Sequence, residues 1–244
     1  MSRWLKALPL ALAVATLSLI TIGCNTTSQA KIRFIHAIQD ANALDIAING
    51  TKEFTSIQFM QLQPPSGYKA VPGGVDTFQG YETGTPTQIF STSNVKLFAG
   101  TNYTVVATGF ITNQSSVPII PATDTNTVPA NGIIDFRIID ASPSAPSPLD
   151  IYIQPAQVQG LTPPATIGAL PYLGVSKYIP VPYNTTGSGY TVYVCPAGNP
   201  DTVLFRQTIP VGGTSLGSIR TLILTDQQNI NQLNPQFMIL NDVN

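Results

Sequence analysis

Past its first thirty residues the chain alternates apolar and polar positions in short runs, and the period is that of strands. In Ile32-Arg33-Phe34-Ile35-His36-Ala37, alternation puts Ile32, Phe34 and His36 on one face and Arg33, Ile35 and Ala37 on the other. Ile57-Gln58-Phe59, Tyr68-Lys69-Ala70-Val71 and Val75-Asp76-Thr77-Phe78 are short and bounded by Pro and Gly. Asn102 to Phe110 is longer and rich in β-branched residues. Tyr178-Ile179-Pro180-Val181, Tyr190 to Cys195, Thr202 to Phe205, Ser218 to Leu224 and Gln236 to Leu240 continue the style. Turn signals recur every ~8–12 residues, the all-β rhythm, and no stretch after the leader holds a helical period over three turns.

The pattern occurs twice. Ile32-Arg33-Phe34-Ile35-His36-Ala37 matches Phe136-Arg137-Ile138-Ile139-Asp140-Ala141. Leu44-Asp45-Ile46-Ala47-Ile48 matches Leu149-Asp150-Ile151-Tyr152-Ile153 in the same order and at nearly the same spacing. A unit of roughly 100 residues has the size of a β-sandwich domain. The fold expected is all-β: two tandem β-sandwich domains, immunoglobulin-like or transthyretin-like, over residues 31–116 and 133–244. Residues 117–132, with Pro118, Pro121 and Pro129 among Thr, Asp and Asn, read as a linker or long loop.

Residues 1–23 read as a signal peptide: Arg3 and Lys6, then an apolar run from Ala7 to Ile20, too short to favour a spanning helix. The run ends in Leu19-Ile20-Thr21-Ile22-Gly23-Cys24, which resembles a bacterial lipobox with Thr21 where Leu is usual. Cys24 is then the lipid-attachment residue and residues 24–30 a polar tether. An ordinary secretory leader cut near this point is the alternative. The expected location is the cell envelope, exported and lipid-anchored, at the outer membrane or cell surface.

Composition narrows the chemistry. Charged residues are 9% of the chain and the net charge is −1. There is no basic stripe, so nucleic acid is not an expected partner. With Cys24 lipidated, Cys195 has no intramolecular disulfide partner, and at a strand end it reads as a small buried hydrophobe. His36 is the sole histidine, and its repeat mate is Asp140, so neither copy requires imidazole. It reads as a hydrogen-bonded histidine in a buried strand rather than a general base or ligand. No set of residues has metal-ligand spacing, so no metal or cofactor is expected. Asp124-Thr125-Asn126 alternates oxygen ligands but lacks the remainder of a calcium loop and reads as solvated linker. Ser142 to Pro148 is stiffened by proline, a recognition edge or a surface connection.

Arg33/Asp45 and Arg137/Asp150 recur while their neighbours drift. They are expected to be structural ion pairs, with the first two strands of each copy adjacent; a ligand-binding arginine is the other reading.

The Arg-x-x-His-Ala and Asp-Ala pattern resembles the bacterial envelope family called domain of unknown function 4397. The first copy supplies Arg33, His36, Ala37, Asp40, Ala41 and Asp45; the second supplies Arg137, Ala141, Ser142, Pro143, Ala145, Pro146, Asp150 and Tyr152. Gly100-Thr101-Asn102-Tyr103-Thr104-Val105 to Gly109 is similar to the family's long strand. The resemblance implies a secreted or lipid-anchored β protein and brings no activity with it. The expected function is non-catalytic, a binding or structural role in the envelope. Partners are the membrane through the lipid and an envelope protein or polysaccharide. A glycan-binding module, with Tyr172, Tyr178 and Tyr183 grouped on one face, is the first alternative, and an extracytoplasmic hydrolase the second.

Overall fold

A computed structural model describes residues 28–112, 116–210, 217–228 and 234–243; the leader and Cys24 lie outside these. The described residues form strands and turns without a helix. The first half contains β1 (Gln29–Ile38), β2 (Leu44–Ile48), β3 (Thr51–Ile57), β4 (Leu62–Gln63), β5 (Lys69–Pro72), β6 (Gly74–Glu82), β7 (Gln88–Leu97), β8 (Asn102–Gly109) and β9 (Ile119–Asp124). The second contains β10 (Ile133–Asp140), β11 (Leu149–Pro155), β12 (Ile167–Leu170), β13 (Ile179–Pro182), β14 (Tyr190–Pro196), β15 (Phe205–Ile209), β16 (Ser218–Asp226) and β17 (Pro235–Val243).

Each half is a sandwich, and the strand order repeats. The outer sheets run β3-β2-β6-β7 and β12-β11-β14-β15. The inner sheets run β4-β1-β8-β9, with β5 also on β1, and β13-β10-β16-β17. At the centre of each inner sheet two strands lie parallel, β1 on β8 and β10 on β16, with Arg33 opposite Thr104 and Arg137 opposite Thr221.

Alternation decides which face each residue covers. Ile32 and Phe34 of β1, Tyr103 and Val105 of β8, and Ile46 and Phe78 of the outer sheet fill the first core. Phe136 and Ile138 with Leu222, Leu224, Ile151 and Val192 fill the second. The opposite face of the inner sheets is also covered. Ile35, Ala37, Val106, Ile120 and Ala122 pack against Ile139, Ala141, Ile223 and Leu240 in a third core. The molecule is therefore four layers, outer-inner-inner-outer, and the inner strands are buried on both sides. Nine consecutive residues of β16 are buried, the continuous pattern of a strand with no solvent face.

Two expectations on organisation are corrected. The segment 117–132 is not a linker throughout, because Ile119–Asp124 pairs with β8 as an edge strand. Pro121 is tolerated there because only one side of β9 is hydrogen-bonded. The first two strands of each copy do not pair either: β1 and β2 belong to different sheets, as do β10 and β11.

Candidate functional site: a charge cluster between the inner sheets

The separation of β1 from β2 removes the expected ion pairs. Asp45 sits in an outer sheet, where it accepts from Lys52 Nζ and the Ser56 amide at 2.8 Å and from Thr83 Oγ1 at 3.2 Å. Asp150 accepts from the amides of Ala169 and Gly198, both at 2.8 Å. Both aspartates tie down local turns. Neither meets its expected arginine.

Arg33 and Arg137 instead point into the space between the inner sheets. Arg33 Nε donates to Thr104 Oγ1 at 2.8 Å, and Thr104 donates to Asp124 at 2.8 Å. In the other half Arg137 Nε donates to Thr221 Oγ1 at 3.0 Å, and Thr221 donates to Asp242. Each arginine then crosses the seam. Arg33 Nη2 meets Asp242 Oδ1 at 2.5 Å, and Arg137 Nη2 meets Asp124 Oδ1 at 2.6 Å. Arg-Thr-Asp thus occurs once in each half, with the shorter salt bridges exchanged between halves, while Arg33 Nε also lies 3.4 Å from Asp124 and Arg137 Nη2 3.6 Å from Asp242. Arg33 is 5% exposed and Arg137 1%, and the Asp124 and Asp242 carboxylates are fully covered.

An aromatic ring flanks each guanidinium. The Tyr68 centroid is 5.4 Å from Arg33 and that of Tyr178 4.7 Å from Arg137, close enough for a cation–π contact. The Tyr68 hydroxyl donates to Asp124 at 2.8 Å. Burial would lower the Arg33 pKa, but Asp242 and Asp124 outweigh it and hold the guanidinium above its ordinary value. Burial pushes the Tyr178 hydroxyl up to about 12, against the pull of Arg137. Two guanidinium groups thus face two carboxylates in the seam, and Arg220, buried on β16, adds a further cation that Asp242 stabilises.

The far end of the seam is polar, and among the described residues its hydrogen bonds come from uncharged donors. Thr108 Oγ1 donates to the Ala141 carbonyl at 2.6 Å and Gln39 Nε2 to Asp226 at 3.0 Å. Ser142 Oγ and the Ser144 amide join the same Asp226 oxygen at 2.8 and 3.1 Å. The Ser142–Pro148 loop is held as a structural connection by these bonds. The repeat mates His36 and Asp140 do the same local job: His36 Nδ1 accepts from the Ile38 amide at 3.2 Å and Asp140 Oδ1 from the Ser142 amide at 3.1 Å, each two residues on. The other histidine nitrogen contacts the Asn42 carbonyl at 3.0 Å, which fixes a neutral ring with its proton on Nε2.

Cys195 is buried beside Tyr152 and Tyr193, and burial raises its pKa. Tyr172, Tyr178 and Tyr183 do not share one face. Tyr178 lies against Arg137, Tyr183 packs on the second core, and the Tyr172 hydroxyl sits near Gly109. Among the described residues no three His, Cys, Asp or Glu side chains group to hold a metal. Asp242 was missed by sequence reasoning, and Asp124, read there as solvated linker, instead ends β9 with its carboxylate buried against Arg137. Their signal is the alternation Ile120-x-Ala122-x-Asp124, matched by Met238-x-Leu240-x-Asp242.

A groove of about 490 Å³ opens at the charged end of the seam. Arg33, Tyr68 and Asp242 line it together with Leu62, Ser66, Met238 and Asn241.

The family profile described as domain of unknown function, DUF4397, matches residues 30–152, just over half the chain. The chain belongs to this family. No curated protein matches it. Among solved structures, a family 26 carbohydrate-binding module, CBMbc of Eubacterium rectale Amy13K in complex with maltoheptaose, is similar at 13% identity and a TM-score of 0.27. That likeness covers 87% of this chain and 96% of the module. A second, a structure of alpha-glucan binding by a streptococcal virulence factor, is similar at 11% identity and a TM-score of 0.27, over 84% of this chain and 97% of that one. Neither likeness bears on the site.

Proposed function

We propose that this family member is a non-catalytic, lipid-anchored envelope protein made of two tandem copies of the family's domain, serving as a rigid structural or binding module outside the cytoplasm. The observation that supports this reading is the exchanged Arg-Thr-Asp cluster. Its charges are spent on each other and on joining the halves, so the residues with most chemical potential hold the scaffold. The lipid on Cys24 would tether that scaffold to the membrane, with two or more acyl chains giving stable anchoring. Fractionation of cells expressing Cys24→Ala tests the tether. Loss of the protein from membranes supports the reading, and a leader-cleaved variant as membrane-bound as wild type contradicts it.

A second reading, a glycan-binding module, is favoured by the groove at the charged end of the seam, which joins hydroxyl and amide groups to apolar walls. Retention of the soluble chain on insoluble polysaccharides tests it, and free passage through all of them contradicts it.

A further inference from the structure

The two ends of the exchanged cluster are not equivalent. Arg137 is closed off: its Nη1 donates to the Thr123 carbonyl at 2.8 Å. Arg33 spends Nε on Thr104 and Nη2 on Asp242. Its Nη1 has no protein acceptor among the described residues, yet it is not among their buried unsatisfied atoms. What remains accessible of this buried side chain, 6% of it, faces the groove that it lines. The groove thus ends on a fixed donor, held in place by a salt bridge, a hydroxyl and the Tyr68 ring.

We infer that this groove, between Leu62–Tyr68 of the first half and Met238–Asp242 of the second, binds a neutral oligosaccharide through Arg33 Nη1. This rests on the glycan-binding reading and assigns it a site and a class of sugar. Charge selects the class. Arg33 and Arg137 are already balanced by Asp242 and Asp124. A carboxylated or sulfated ligand would place a second negative charge beside the Asp242 carboxylate, where the two repel. A hydroxyl accepts from Nη1 without that repulsion. Leu62, Pro65 and Met238 offer apolar surface to the C–H face of a pyranose, and Ser66 and the exposed Asn241 offer polar groups at the rim. The volume falls within the range of roughly 300–1,000 Å³ usual for small-molecule sites.

The test is calorimetric titration of the soluble mature chain with cellohexaose, maltohexaose, mannohexaose and xylohexaose, with hexagalacturonate as the charged comparator. At least one neutral sugar should bind. Ser66→Trp, which fills the groove from an exposed loop, should weaken that binding at least about tenfold with unfolding temperature unchanged. Arg33→Lys, which keeps the charge but replaces all three guanidinium nitrogens, and with them the bonds to Thr104 and Asp242, should weaken it by about as much in protein whose folded state is checked by its unfolding temperature. Tighter binding of hexagalacturonate than of every neutral sugar would overturn the choice of class. Binding of a neutral sugar that neither variant weakens would overturn the site while leaving the glycan-binding reading standing. No heat with any sugar, together with no retention on polysaccharide, would sink both.

Discussion

Replacing Asp140 with asparagine should make the protein more stable at neutral and alkaline pH, although the residue is buried and hydrogen-bonded. Asp140 is fully buried; Oδ1 accepts one amide proton, from Ser142, and Oδ2 has no partner. Its buried neighbour Asp226 accepts from Gln39, Ser142, Ser144 and the Asn234 amide. Desolvation first, then the Asp226 charge, raises the Asp140 pKa from 3.8 to about 7. A carboxyl raised on folding stabilises fully below its unfolded pKa. That contribution declines as pH rises from 3.8 and is gone above about 7. Roughly three pH units at about 1.4 kcal/mol each give about 4 kcal/mol. Asparagine keeps the acceptor for Ser142, offers an N–H where the carboxyl proton sat, and does not titrate. Denaturant unfolding of wild type and Asp140→Asn between about pH 4 and about pH 9 should give stabilities that diverge with rising pH, the variant ahead by up to about 4 kcal/mol. Taking the difference cancels carboxylates shared by both proteins, such as Asp40 and Asp45, which hydrogen bonds hold below the usual range against desolvation. A gap that ignores pH, or a variant weaker than wild type at the alkaline end, would refute the reasoning.

His36 titrates with the opposite sense: desolvation lowers its pKa from 6.5 to about 4, so stability present above 6.5 falls on acidification through that window, by about 3 kcal/mol. NMR should find the ring neutral with its proton on Nε2 and a midpoint near 4, whereas a midpoint at or above 6.5 would contradict its burial. At the cluster, Arg137→Met or Asp124→Leu alone should cost about 3–5 kcal/mol. The double variant should recover much of it in a denaturation cycle; additive losses would mean the two groups do not interact. Gly80→Ala should destabilise by about 1–3 kcal/mol, because a Cβ there would stand 2.0 Å from the ring of buried Phe90. An unchanged unfolding temperature would contradict that packing.

The central strands were legible because alternation is local, whereas Gln58-Phe59 and Thr202 to Leu204 lie outside the strands that end at Ile57 and begin at Phe205. Ile32 and Phe34 on one face, with Arg33, Ile35 and Ala37 on the other, is the division found in the first and third cores. The partner of the second face was not legible, because nothing local to either copy says that the same face of the other copy covers it. The Arg33/Asp45 expectation failed because proximity in sequence suggested a hairpin where the chain crosses between sheets. Pro118 and Pro121 disguised β9 as linker, which hid Asp124, the acceptor that Arg137 needs. Repeat matching found the arginines because their flanking strands are similar. The aspartates sit on edge strands, where Ile119-Ile120-Pro121-Ala122-Thr123-Asp124 and Met238-Ile239-Leu240-Asn241-Asp242 share little beyond alternation.

Scanning calorimetry of the intact mature chain bears most directly on whether the two halves share a buried seam. The four-layer arrangement, with its third core and exchanged salt bridges, calls for one transition whose calorimetric and van't Hoff enthalpies agree. Two separable transitions, one half melting while the other keeps its full enthalpy, would contradict it.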